Sequence, residues 1–269
     1  MFISCEKTSP DLKAYTLVVP CVSVGNVGQL AVDLIISTLC MKKIGYMDDE
    51  SILPLVGNDP FASGTTGNLC NLSVSCEVYM SVVHKVVAIQ QRAPFVKGKA
   101  GAFRERLVRW IKDRGLNRVV IATSSHAYMM MDMQIQGGTL LRYLISPQLY
   151  EKGGESILKT LNWQEMEKQP VDPQGVMGNT DKETQMEIKI PGGGIGLKLY
   201  NDCCKEKIPT LLCSKFCSEG DNVADGIDVA TYINSWFQWV TKKKKESLWR
   251  QPSSWKLQFG SNYDQTIYQ

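Results

Sequence analysis

The sequence predicts an α/β fold, a single three-layer α/β/α domain with a mostly parallel central sheet. Three observations predict it. Short apolar, β-branched runs at residues 15–20, 118–123 and 209–216 read as buried strands. Stretches with helical spacing over 23–39, 103–112 and 223–240 alternate with them. A strand, a helix and another strand in succession favour parallel pairing through a crossover helix.

Along the chain, YTLVVP (15–20) is the first buried strand. The helix that follows carries Val27, Leu30, Ala31, Leu34, Ile35 and Leu39 at helical spacing, with Asn26 as N-cap and Gly25 and Gly28 easing the turn. Residues 44–47 form a second short strand, and Gly57, Asn58, Asp59 and Pro60 mark a turn. From 72 to 79, Leu72, Val74, Cys76 and Val78 alternate with Ser73, Ser75 and Glu77, which predicts a half-exposed strand paired antiparallel with 85–90. Phe103, Leu107, Trp110 and Ile111 share one helical stripe, closed by Gly115. A helix near 155–167 precedes a polar, turn-rich loop near 169–185, expected to be mobile. A strand at 209–216 and a long helix over 223–240 complete the pattern, and 253–261 reads as a closing segment. The expected organisation is one domain over 1–261 and a flexible C-terminal tail over 262–269.

Composition narrows the function. Hydrophobic residues make up 43% and charged residues 21% of 269, as in ordinary globular chains. A net charge of +3 gives no electrostatic footprint for nucleic acid. No stretch reaches the 18 or so apolar residues of a membrane helix, so no membrane association is expected. The first residues lack the charged and apolar regions of a secretory signal. Nine cysteines, an odd number without a Cys-x-x-Cys pair, point to free thiols in a reducing compartment, cytoplasm or nucleus.

Three segments carry candidate chemistry. SVGNVGQ (23–29) places two glycines between strand and helix, where a helix N-terminus can hold a phosphate. It lacks the third glycine of a dinucleotide loop and the Lys-Ser/Thr of a P-loop, so a structural turn is the favoured reading. Pro191 and Gly192, Gly193 and Gly194 read as a loop or a binding surface. Ser124, Ser125 and His126 follow a strand end, yet adjacent residues seldom align as nucleophile and base, and there is no Gly-x-Ser-x-Gly elbow. His84 and His126 are the two histidines, without the neighbours of a zinc site. Lys242 to Lys245 form a basic run that reads as a solvated helix end or a patch for an acidic partner.

SVGNVGQLAVDLIISTL (23–39), KIGY (43–46), LVGNDPF (55–61), LNWQEMEK (161–168), IPGGGI (190–195), SEGDN (218–222) and PSSWKLQFGS (252–261) together resemble the proteasome assembly chaperone 2 family. The strings run in order across nearly the whole chain. The resemblance implies a nucleoside phosphorylase-like fold, no catalytic residue and no cofactor. It implies a heterodimer with proteasome assembly chaperone 1. Such a pair binds the α-subunits of the 20S proteasome, promotes α-ring formation and prevents α-rings from dimerising. The last residues, Ile267, Tyr268 and Gln269, match the hydrophobic-Tyr-any triplet by which proteasome binders enter pockets between α-subunits. The alternative is a nucleoside- or nucleotide-binding enzyme on the same fold, since fold alone does not decide function.

Overall fold

A computed structural model describes residues 1–62, 71–136, 138–170, 186–241 and 247–257. The strands are β1 (Phe2–Ser4), β2 (Thr16–Pro20), β3 (Lys42–Met47), β4 (Val56–Asn58), β5 (Leu72–Val74), β6 (Cys76–Ser81), β7 (Val86–Gln91), β8 (Arg118–His126), β9 (Leu141–Ile145), β10 (Gln169–Pro170), β11 (Met186–Glu187) and β12 (Thr210–Cys217). The helices are α1 (Val27–Thr38), α2 (Ala100–Asp113), α3 (Asp132–Gln136), α4 (Pro147–Leu149), α5 (Glu155–Leu161), α6 (Gly196–Lys205) and α7 (Val223–Phe237).

Eight strands form one sheet in the order β1-β3-β6-β7-β2-β8-β12-β9. Alternate residues of its central strands enter two separate cores, because successive side chains leave a strand on opposite faces. Leu17, Val19, Val119 and Ile121 pack with Phe103, Leu107 and Ile111 of α2 and with Leu199 and Cys203 of α6. Val18, Val120, Ala122 and Leu211 pack with Val27, Ala31, Leu34 and Ile35 of α1 and with Val229, Ala230 and Ile233 of α7. Both faces are therefore covered, which explains why these strands read as unbroken apolar runs. Each fully buried Leu, Ile or Val contributes about 1.5–3 kcal/mol. The layers meet tightly at Gly28, where a β-carbon would lie 2.3 Å from the carbonyl oxygen of Ala122.

The α/β/α layering predicted from sequence is present, but the sheet is mixed rather than mostly parallel. β7, β2, β8 and β12 run parallel, whereas β1, β3, β6 and β7 pair antiparallel in turn and β9 lies antiparallel to β12. The short turn between β6 and β7 permits only antiparallel pairing, since a parallel crossover needs a dozen or more residues. The free edge of β9 is closed by its own chain: Tyr143 N donates to Gln164 O (3.0 Å), and Met166 N to Tyr143 O (2.9 Å).

Several local expectations change. Asn26 does precede α1, but its φ is 53° and its side chain makes no capping hydrogen bond. The strand expected over 72–79 is two strands broken at Ser75, and Glu77 is buried rather than exposed. Its carboxylate accepts from Lys43 Nζ (3.0 Å), Ser73 Oγ (2.8 Å) and Tyr79 OH (2.8 Å), which satisfies it inside. The helix expected over 155–167 ends at Leu161, where Asn162 turns left-handed. The loop near 169–185 begins and is followed by the short β10–β11 pair, and residues 171–185 lie outside the described residues. The basic run at 242–245 and the tail at 262–269 lie outside them too.

Candidate functional site

Ligands of α/β proteins usually sit beyond the carboxyl ends of the parallel strands. Here the ends of β2, β8 and β12 bring together the sequence segments singled out above: 23–29, 124–126 and 191–194. They pack against one another, and Pro191 also borders a groove on the outer side. Val24 N donates to Gly192 O (3.0 Å), and His126 N to Pro191 O (3.1 Å). Thr123 Oγ1 donates to Gly193 O and Ser125 Oγ to Pro191 O, both at 3.0 Å. The glycines permit this close seating. At Gly194, with φ of 59°, a β-carbon would lie 2.4 Å from the carbonyl oxygen of Val22.

The serines are consumed by this seam. Ser124 Oγ donates to Val24 O (2.5 Å) and lies 2.7 Å from Ser23 Oγ. A hydroxyl has one proton; with that of Ser124 directed at Val24 O, Ser23 donates across the 2.7 Å contact in preference to Cys21 O at 3.4 Å. Ser124 and Ser125 are fully buried, and their hydroxyls address carbonyls, not the His126 ring. That ring stacks obliquely near Tyr128, with centroids 4.9 Å apart, and a β-carbon at Gly192 would meet it at 2.7 Å. Nucleophile and base are thus adjacent in sequence but not engaged.

Thiol chemistry is also disfavoured at the buried cysteines. Burial pushes the thiols of Cys21 and Cys203 up to about 12, far from the thiolate form needed for attack. Cys76 and Cys213 are raised by burial as well. Among the described residues no group of three or more His, Cys, Asp or Glu is placed to hold a metal. No described helix is long and apolar enough to cross a membrane.

Sequence reasoning missed two buried cations that shape this end of the molecule. Lys215 of β12 is held between Asp225 (2.8 Å) and Asp228 of α7. Arg142 of β9 is fully buried: Nε donates to Glu167 (2.8 Å), Nη1 to the carbonyls of Thr139 (2.6 Å) and Leu141 (3.0 Å), and Nη2 to that of Gln134 (3.1 Å). Their only sequence signal is a single cation inside an apolar run, LRYLI or LLCSKFC.

Arg142 pins down the segment that leaves β8, and that segment projects apolar side chains outward. Tyr128 is 78% exposed and Ile135 63%, with Met129 and Met133 about half exposed. Beside it, Lys168, Lys189 and Lys198 line a groove of about 640 Å³ together with Ile188, Ile190 and Leu197. The tail residues Ile267, Tyr268 and Gln269 lie outside the described residues.

Residues 17–214 match the PAC2 family. The chain is 42% identical to human proteasome assembly chaperone 2 (Homo sapiens) over 273 aligned positions and 43% identical to proteasome assembly chaperone 2 of Danio rerio over 269, covering 100% of both chains in each comparison. A solved structure with the same fold is Pyrococcus furiosus PbaA, described as an archaeal homolog of proteasome-assembly chaperone. It has a TM-score of 0.60 and 12% identity, and the match covers 87% of this chain and 86% of that one. With a family match over most of its length and relatives aligned end to end, this chain belongs to the PAC2 family.

Proposed function

We propose that this chain is a non-enzymatic chaperone of proteasome assembly. Its full-length similarity to proteins called proteasome assembly chaperone 2 carries the reading. In this reading it works as a heterodimer with proteasome assembly chaperone 1, in the cytoplasm and nucleus. The pair binds α-subunits of the 20S proteasome, promotes α-ring formation and keeps α-rings from dimerising. Ile267, Tyr268 and Gln269 insert between neighbouring α-subunits, with the terminal carboxylate captured by a basic pocket, a recurring mode of peptide recognition.

The strand-end geometry supports a role without catalysis. A nucleoside- or nucleotide-binding enzyme on this fold needs room for its substrate beyond β2 and β8, and residues 191–194 occupy that place through their own hydrogen bonds. The test is affinity purification from cells followed by mass spectrometry. Co-purification of α-subunits and chaperone 1, without mature catalytic particles, is the expected result. A purified chain that turns over nucleosides, or never travels with α-subunits, overturns the proposal.

A further inference from the structure

We infer that the groove between residues 186–191 and α6 receives an acidic, apolar peptide segment of a protein partner. The inference rests on the assembly reading for the source of that segment and on the geometry for its place.

Three lysines, one carboxylate and three aliphatic side chains share this groove of about 640 Å³: Lys168, Lys189 and Lys198, Glu187, and Ile188, Ile190 and Leu197. Lys189 has an ion-pair partner, Glu187, at 3.5 Å. Lys168 and Lys198 have none among the described residues, and the nearest carboxylates in sequence are committed elsewhere. Glu167, next to Lys168, is bound to Arg142 at 2.8 Å. Asp202, one helical turn beyond Lys198, is bound to Arg104 at 2.7 Å. Among the described residues the groove therefore sets three lysines against one carboxylate, Glu187, over an apolar floor.

That combination selects its occupant. Partly buried Ile188, Ile190 and Leu197 belong to the edge of the core cluster beneath α2 and α6, so they offer apolar contact that a solvated anion cannot use. Among the described residues no aromatic ring lines the groove to stack a base, which argues against single-stranded nucleic acid. A peptide alternating acidic and aliphatic side chains matches both features, because an extended segment turns successive side chains to opposite sides. The walls are already ordered: Pro191 O accepts from His126 N and Ser125 Oγ, and Leu199 anchors α6 in the core. Preorganised walls lower the cost of binding.

The experiment is fluorescence anisotropy with the full chain and labelled ten-residue peptides alternating Glu–Leu, Lys–Leu and Glu–Ser, plus a single-stranded oligonucleotide. The Glu–Leu peptide should bind best, with affinity falling as salt rises. The double variant Lys168→Glu, Lys198→Glu should bind it about tenfold or more weakly, with an unchanged circular dichroism melt. If that variant melts early, Lys168→Gln with Lys198→Gln replaces it, with a smaller loss expected. No binding by the unsubstituted chain, equal binding by the variants, or equal binding of the Lys–Leu, Glu–Ser or oligonucleotide probes overturns the inference. Failure here with α-subunits still co-purifying sinks the groove alone. Absent α-subunits with peptide binding intact sinks the assembly reading instead.

Discussion

The hydroxyl oxygens of Ser23 and Ser124 stand 2.7 Å apart, tying the loop after β2 to the end of β8 across 101 positions of sequence. Ser124 donates its own hydroxyl hydrogen bond to Val24 O, so the pair acts as a clasp and not as a nucleophile awaiting a base. Ser124→Ala should therefore cost stability, about 1–2 kcal/mol for a buried hydrogen bond whose partner is left behind. Urea denaturation reads this directly. Co-purification of α-subunits, corrected for the amount of folded protein, should not change.

Arg142 should matter more. Met in its place leaves three backbone carbonyls without their donor and leaves Glu167, which is 24% exposed, with Gln134 Nε2 (3.0 Å), an expected loss of about 2–3 kcal/mol. Adding Glu167→Leu to Arg142→Met should recover part of that loss, since the carboxylate that lost its guanidinium is then gone as well. A double-mutant cycle by chemical denaturation measures the coupling. Additive losses would contradict the buried pair.

Stability should depend on alkaline pH through the thiols. Cys21 and Cys203 have folded values of about 12, raised by burial from an ordinary 9.0. Below pH 9 both folded and unfolded chains keep these protons, and the contribution is complete. Above it the unfolded chain releases protons that the folded chain retains, so stability falls until the folded thiols themselves titrate. The slope is about 1.4 kcal/mol per pH unit for each thiol. Denaturation midpoints between about pH 8 and pH 11 should be flat and then fall, less steeply in Cys21→Ala with Cys203→Ala. An unchanged slope in the double variant removes the thiols as the cause.

Deleting residues 267–269 should weaken association with α-rings while leaving the fold and the heterodimer intact. Ile267 offers about 1.5–3 kcal/mol of burial, and a charge-assisted bond to the carboxylate about 1.5–3 kcal/mol. Ordering each residue costs about 1–2 kcal/mol, so one tail binds weakly. A second tail and a broad docking face can multiply affinity about 10²–10⁴-fold. Pull-down of assembly intermediates at full strength by the truncated chain would refute the use of the tail.

How far the fold was legible depended on how local its signals were. Val18, Val120 and Leu211 sit in runs whose neighbours are also apolar, and α7 carries Val229, Ala230 and Ile233 at helical spacing. These elements were read correctly because a few residues suffice to define them. β9 was not, because LRYLI becomes a buried strand only when Glu167 arrives to neutralise Arg142. The same holds for Glu77, which reads as a solvent-facing residue until Lys43, Ser73 and Tyr79 enclose it. α6 was missed because the glycines before it resemble a loop, and their role depends on the strand ends they seat against.

By itself the sequence determined the alternation of strands and helices, the doubly buried centre of the sheet and the family strings, all of which are carried by residues close together in the chain. Only the tertiary structure decided that the sheet is mixed, that 23–29, 124–126 and 191–194 form one closed seam, and that three lysines meet over an apolar groove. The reason is that hydrogen bonds and ion pairs such as Ser23–Ser124 and Arg142–Glu167 join residues from separate segments. Whether a polar side chain is a reactive group or a clasp is settled by the partner that folding places within reach of it.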